Sequence, residues 1–174
     1  MAICHSLSHG GNLATEGTDV TSFEKTPAGT RGGRGAPSNV LTRGLMRAMT
    51  SWHRRSGDKF AGMDLLYLTT VGAKTGQKRQ STVARFADGE DAWLIVASAG
   101  GSAHHPAWYP TIAAHPDQVW NEFGGQQMRV TPAQLDGDAR AQAWQRITAS
   151  QPRYLGYERK TDRAIPVIRL TRAD

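Results

Sequence analysis

Residues 69–79 read TTVGAKTGQKR, which sets Lys74, Thr75, Lys78 and Arg79 close to two glycines, Gly72 and Gly76. Glycine reaches positive φ without strain, so successive amide N–H groups of such a turn can face an anion. Lysine and arginine then add charge-assisted donors. Holding a phosphate or a polycarboxylate is the chemistry these residues suit, with a solvated hairpin turn as the alternative. A triphosphate-binding P-loop is excluded, because Ala73 and Leu68 occupy the positions where that motif needs glycines. Nor does a G-x-G-x-x-G fingerprint stand between a strand and a helix.

Two further stretches carry candidate chemistry. After the apolar run AWLIVA comes SAGGSAHHPAWY. Ser98 falls at a strand end, Gly100 and Gly101 let main chain approach a ligand, and a Pro-initiated helix presents Trp108 and Tyr109. Small residues flanked by aromatics suit a flat heterocycle, and equally a tight turn before a core-facing helix. In QPRYLGYERKTDRAIP, Tyr154 and Tyr157 are three apart and share a face if helical. Their hydroxyls would order a carbonyl or supply a proton, or else simply reach water from a packed face. His104, His105 and His115 lack the spacing and the companion ligands of a metal site. Ser98 is outside any G-x-S-x-G elbow.

The elements that must position these groups change period along the chain. Residues 1–37 are rich in Gly, Ser, Thr, His and Pro without apolar periodicity, and are expected to be disordered. From an N-cap at Ser38, the residues Leu41, Leu45, Met49 and Trp52 predict a helix whose other faces carry Arg43, Arg47 and Arg54. LLYLTT, QSTVARF, AWLIVAS, QVWNEF, QMRVT and IPVIRL then read as strands. Helices are expected after His105-Pro106, with Pro106 at the first helical position, and from an Asp136 N-cap to about Ser150, with Ala143, Trp144 and Ile147 inward. Short connections require antiparallel pairing. The expected class is α+β, mainly antiparallel β: a curled or closed barrel of about six strands with flanking helices.

Composition narrows the function classes. One cysteine, Cys4, among 174 residues excludes a disulfide framework. The apolar runs fall far short of the ~20 residues that span a bilayer, and no secretory signal is legible at the start, so a cytoplasmic protein is expected. Residues 31–60 hold Arg31, Arg34, Arg43, Arg47, Arg54, Arg55 and Lys59 against Asp58 alone, which equals the chain's whole net charge of +6. Such an excess seeks an anionic partner. Residues 38–55 would support weak, salt-sensitive contact with an anionic membrane surface, peripheral at its inner face. Nucleic acid is disfavoured, since residues 38–55 offer one aromatic, Trp52, and no reading motif.

TTVGAKTGQKR, RFADGEDAWLIVASAGG, HPAWYPTIAAHP and QPRYLGYERKTDRAIPV, in that order from about Leu45 to Leu170, resemble the deazaflavin-dependent nitroreductase family. The resemblance implies a split β-barrel that uses reduced coenzyme F420 and transfers a hydride to an electron-poor hydrophobic acceptor: a quinone, a nitro compound or a conjugated enone. It places the phosphate and acidic tail of the coenzyme at Ala73, Lys74, Thr75 and Arg79. The deazaflavin ring is expected between Gln80, Ser81, Thr82, Val83 and Ala84 on one side and Val96, Ala97, Ser98 and Ala99 on the other. Ala107, Trp108, Tyr109, Pro110 and Thr111 reach the coenzyme from the next helix. Tyr154, Tyr157 and Ser98 are the catalytic candidates, Tyr154 touching the coenzyme as well, and no metal is implied.

The sequence departs from the nitroimidazole-reducing members of that family. Ala84 stands for a ring-facing tyrosine, Gln151 for one of three C-terminal tyrosines, and Ala99 for a lysine, while Pro110 is expected to kink its helix. A roomier pocket at Ala84 points to a bulky acceptor. The alternative within the fold is a barrel that binds FMN, lipid or haem without deazaflavin reductase activity.

Overall fold

The computed structural model describes residues 23–33 and 57–173. Eight strands run in the order β1 (Lys59–Phe60), β2 (Met63–Val71), β3 (Lys78–Ala84), β4 (Phe86–Ala87), β5 (Ala92–Val96), β6 (Val119–Phe123), β7 (Gln126–Gln134) and β8 (Val167–Arg172). Among the described residues three α-helices join them: α1 (Trp108–Ala114) after β5, then α2 (Gly137–Ser150) and α3 (Arg153–Lys160) before β8. Every named pairing is antiparallel, and the sheet runs β1-β2-β6-β7-β8-β5-β4 with β3 on the other edge of β2. This is the expected split barrel. The six strands read from the sequence are all present, joined by the two-residue strands β1 and β4.

Alternation along β5 explains why AWLIVA is apolar throughout. Trp93 and Ile95 turn into the barrel with Leu66, Leu68, Val119 and Ile168. Leu94 and Val96 turn outward, where α2 and α3 cover them with Ala143, Trp144, Ile147 and Tyr154. A strand covered on both faces has no solvent side to give to polar residues. The stripe expected on α2 is buried as read, with Asp136 at the N-cap position, although its side chain makes no capping bond.

Three expectations are corrected. Pro106 precedes the N-cap Ala107 instead of opening α1, and its carbonyl accepts the Tyr109 N–H at 3.0 Å. Pro110 lies in the first turn of α1, where a backbone N–H has no partner in the helix anyway, so it breaks nothing. Residues 23–33, expected to be disordered, pack across the barrel. Thr26 N–H donates to Tyr109 Oη at 2.8 Å, Gly29 N–H to Ala103 O at 2.9 Å and Gly33 N–H to Gly101 O at 2.8 Å. The expected basic helix over residues 38–55 lies outside the described residues. Among the described residues no helix is long and apolar enough to cross a membrane.

One carboxylate anchors the middle of this strap. Asp162 accepts the Thr30 hydroxyl at 2.6 Å and the N–H groups of Thr30 and Arg31 at 3.0 Å each. The Thr30 hydroxyl and the Arg31 N–H hold its carboxyl down to about 2. A depressed carboxylate stabilises docking above its ordinary value of 3.8 and loses that contribution as pH falls through about 2. Asp162→Ala is expected to accelerate amide hydrogen exchange at Thr30 and Arg31 by about tenfold or more at neutral pH, with β5 and β8 amides unaffected. Unchanged exchange at those two amides would contradict the anchoring role.

Candidate functional site

Among the described residues β3 pairs with β2 alone, while β5 pairs with β4 and β8. The barrel is therefore open between β3 and the end of β5, and a cavity of about 370 Å³ lies in that opening. Thr82, Val83 and Ala84 form one wall, and Val96, Ser98, Ala99 and Gly100 the other. Trp108 of α1 and Tyr154 and Tyr157 of α3 close the far side. The volume falls in the range of small-molecule sites, and the lining is mostly apolar with a few hydroxyls, as such sites require.

The wall beyond β5 is held by Arg163. Its Nη2 donates to Ala97 O at 3.0 Å and Ser98 O at 2.8 Å, and its Nε to Ser102 O at 2.8 Å. The side chain is 6% exposed, so these carbonyls replace the water a buried guanidinium has lost. Nη1 lies 3.2 Å from His105 Nδ1, which makes Nδ1 the acceptor and directs the Nε2 proton to Thr26 O at 2.9 Å. Burial first, and the Arg163 charge second, push the His105 imidazolium below its ordinary 6.5. Gly101 completes the wall at φ +82°, where an added Cβ would stand 2.7 Å from Tyr157 O. Only glycine lets this loop lie flat on α3.

The tyrosine wall is rigid. Tyr154 packs edge-on against Phe86, Trp144 and Tyr157, with ring centroids 5.5–6.3 Å apart. Burial, reinforced by Tyr157, raises its hydroxyl to about 12. Tyr154 therefore keeps its proton at physiological pH, suiting it to donate a hydrogen bond more than to release a proton.

The cationic turn sits at the other end of β3. Gly72 N–H donates to Gln77 O at 2.9 Å, and Gly76 N–H, at φ +63°, returns to Gly72 O at 2.8 Å. The amides of Thr75 and Gln77 are also spent inside the turn, on Gly72 O and Thr75 Oγ1. An open nest of successive amides is thus not formed, and an anion would be met chiefly by side chains. Lys74, Thr75 and Arg79 are all exposed, and Arg79 Nε lies 3.7 Å from the Cβ position of Gly72, folded back beside the turn.

Of the residues singled out in the sequence, Thr82, Val83, Ala84, Val96, Ser98, Ala99, Trp108, Tyr154 and Tyr157 line the cavity together. Ala73, Lys74, Thr75 and Arg79 stand apart at the turn, and Gln80 and Ser81 lie on β3 between the two. Ala97 is wholly buried in the barrel core. Tyr109 does not reach the cavity: a helix turns about 100° per residue, so with Trp108 facing it Tyr109 points elsewhere, donating to Gln134 Oε1 and meeting the tilted ring of Phe23 at a centroid distance of 5.6 Å. Thr111 is engaged with Thr70, its Oγ1 2.9 Å from the Thr70 hydroxyl, and Ala107 and Pro110 are not among the lining residues. Phe60, Met63, Leu65 and Arg153 line the cavity without having been singled out, and Pro106, read only as a helix start, lines it too. The legible signal was the alternation across KFAGMD, too short to read as a hairpin.

Arg163→Lys keeps the charge but cannot reach three carbonyls with one planar fork. It is expected to lower stability by about 2 kcal/mol in thermal or denaturant unfolding, and an unchanged midpoint would show the fork to be dispensable. Because folding favours neutral His105, its contribution is complete above pH 6.5 and is lost as pH falls through its lower folded value. The unfolding midpoint should drop on acidification from about pH 7 to 5, and less steeply in His105→Gln; parallel profiles would contradict this.

The residues fit coenzyme F420 on their own chemistry. A turn rich in exposed cations suits its phosphate and carboxylates, and a slot walled by alanine, valine and glycine suits a flat ring. Comparison with known proteins agrees. The sequence model for F420H(2)-dependent quinone reductases matches residues 41–172. The chain is 42% identical over 110 residues, 62% of its own length and 72% of the relative's, to an F420H(2)-dependent quinone reductase of Mycobacterium tuberculosis. A solved F420-H2 dependent reductase, FDR-A, superposes with a TM-score of 0.55 at 34% identity, covering 61% of this chain and 92% of that one. Another solved chain, described as a domain-swapped dimer, superposes with a TM-score of 0.57 at 30% identity over 75% and 96%. The chain belongs to the F420H(2)-dependent quinone reductase family and is a reductase that works with reduced coenzyme F420.

Proposed function

We propose that the acceptor is an electron-poor hydrophobic compound, a quinone before a nitro compound or a conjugated enone. The observation that carries this reading is that one strand joins the two halves of the site. β3 leaves the cationic turn at Lys78 and Arg79 and ends in the cavity wall at Thr82–Ala84. Five residue-to-residue steps of strand lead from Arg79 to Ala84, roughly 17 Å at the usual rise. That spacing suits a ligand with a flat ring at one end and a polyanion at the other.

When bound, the reduced deazaflavin supplies a hydride to the acceptor, and the protein's part is placement. Lys74, Thr75 and Arg79 hold the anionic tail and so fix the register of the ring along β3. Val83, Ala84, Val96 and Trp108 exclude water from the reacting faces. Ser98, Tyr154 and Tyr157 bring hydroxyls to the cavity, where they orient an acceptor carbonyl. Tyr154, with its proton retained, donates to the oxygen on which charge accumulates. Ala84 leaves room on the ring-facing strand for a fused-ring acceptor. Similarity to a mycobacterial quinone reductase supports the quinone over the other acceptors.

Titration with oxidised coenzyme F420, followed by reoxidation of the reduced form by menadione, tests this. Lys74→Ala and Arg79→Ala are each expected to weaken coenzyme binding about tenfold or more, and increasingly so at low salt, as loss of a charge-assisted contact predicts. Wild-type affinity in both variants would remove the turn from the site. Binding without menadione turnover would remove quinones from the acceptor class.

A further inference from the structure

The cavity wall beyond β5 is built from backbone that needs support from outside. Ala99, Gly100 and Gly101 follow one another at positive φ, 46°, 65° and 82°. Ala99 carries a Cβ in this left-handed region, where alanine is disfavoured. From within, the loop is closed by Gly101 N–H donating to Ser98 O at 2.9 Å and Ser102 N–H to Ala99 O at 3.2 Å. Ser98, Ala99 and Gly100 all line the cavity.

The strap of residues 26–33 supplies part of that support. Besides the bonds from Gly29 and Gly33 to the loop, Gly33 bridges Ser102 in parallel. The approach leaves no room for side chains. A Cβ at Gly32 would collide with the Ala103 backbone, and one at Gly29 with the Asp162 carboxylate. The strap is also fixed to the segment after α3, where Thr161 Oγ1 donates to Arg31 O at 3.0 Å and Asp162 accepts the Thr30 and Arg31 amides. At its start, Gln134 Nε2 donates to Thr26 Oγ1 at 3.1 Å, and His105 Nε2 reaches Thr26 O while Nδ1 meets Arg163. The strap thus ties the loop to residues 161–163. Residues 26–33 do not themselves line the cavity, and they precede residues 41–172, over which the family's sequence model matches.

We infer that residues 26–33 are a positioning segment for the coenzyme: strap docking and deazaflavin binding favour the same arrangement of the Ser98–Gly101 wall, so each strengthens the other. The inference rests on the reading of the cavity as the site of the ring. A flat ring set against Ser98 and Ala99 requires one conformation of that loop, and the strap's bonds to Gly101 and Ala103 favour the conformation in which the slot is formed. Two events that bias one element are coupled by the same factor in either direction. The glycines of GTRGGRG, which local pattern leaves without a role, let the strap lie against the loop.

The test uses Gly29→Val and Gly32→Val in the full-length protein, with two probes: oxidised coenzyme F420 and its ribityl deazaflavin fragment, which lacks the phosphate and carboxylates. Amide exchange at Thr30, Arg31 and Gly33 reads strap release, and protected β5 and β8 amides show that the barrel stays folded. Each variant is expected to release the strap and to weaken both probes by the same factor, about tenfold. In the wild type, saturation with oxidised coenzyme should slow exchange at the strap amides by that factor. Wild-type affinity in a variant whose strap is released overturns the inference. So does a loss confined to the whole coenzyme, because the strap would then act on the tail, and so does coenzyme that leaves strap exchange unchanged. A strap that stays docked in both variants contradicts the close packing and overturns it as well. Ala84→Trp separates this inference from the reading of the cavity. If the fragment is blocked by Ala84→Trp yet indifferent to strap release, the inference alone falls; if it binds Ala84→Trp as tightly as the wild type, the ring lies elsewhere and both fall.

Discussion

The site depends on β2 carrying more partners than a sheet edge can share. β3 takes residues 65–71 along its length, β6 takes Thr69 and Thr70 from the opposite side, and β1 takes its first two residues. With both edges of β2 occupied, β3 is left at the margin with no strand beyond it among the described residues. An unpaired strand edge is ordinarily a liability, managed by charge or by cover. In this protein its first two residues are Lys78 and Arg79 and its last three face a cavity. The gap that keeps the barrel from closing is the place where a flat molecule can enter between two strands.

Everything around the gap works to keep its second wall still. The segment from Ala97 to Ser102 has no ladder to hold it once β5 ends. Arg163 supplies the missing hydrogen bonds from one buried fork, and His105, Thr26 and Gly33 extend the same network to the strap of residues 23–33. α3 packs onto Gly101 so closely that no side chain fits, which sets the tyrosine wall at a fixed distance from the loop. Rigidity is what a hydride donor and acceptor require, since transfer depends on holding reacting atoms about 3–3.5 Å apart.

Much of this was legible in the sequence where a residue's neighbours in the chain are also its physical context. The long apolar strands, the stripe of α2 and the tyrosine pair of α3 all follow from local period. The order of residues 23–33 was not legible, because it comes from partners far along the chain: Asp162 lies 132 residues from Thr30. The same holds for β1, which is two residues long and whose turn carbonyls, at Ala61 and Gly62, accept from Arg153 and Gln151. Tyr109 was grouped with Trp108 because the two are adjacent, yet helical rotation sends them to different surroundings. Glycines 72 and 76 suggested an amide nest, and the fold uses most of those amides to close the turn. Any anion at this turn would be met by side chains.

On the proposed reading, the opening between β3 and the end of β5 holds the deazaflavin ring, with its tail at the cationic turn. A crystal structure of the protein with oxidised coenzyme F420 tests it most directly. The ring is expected between Thr82–Ala84 and Val96–Ala99, with the phosphate and carboxylates beside Lys74 and Arg79. A ring bound instead in the separate cavity of about 320 Å³ under Phe86, Leu94 and Ile147 would contradict it. So would a tail directed away from the turn.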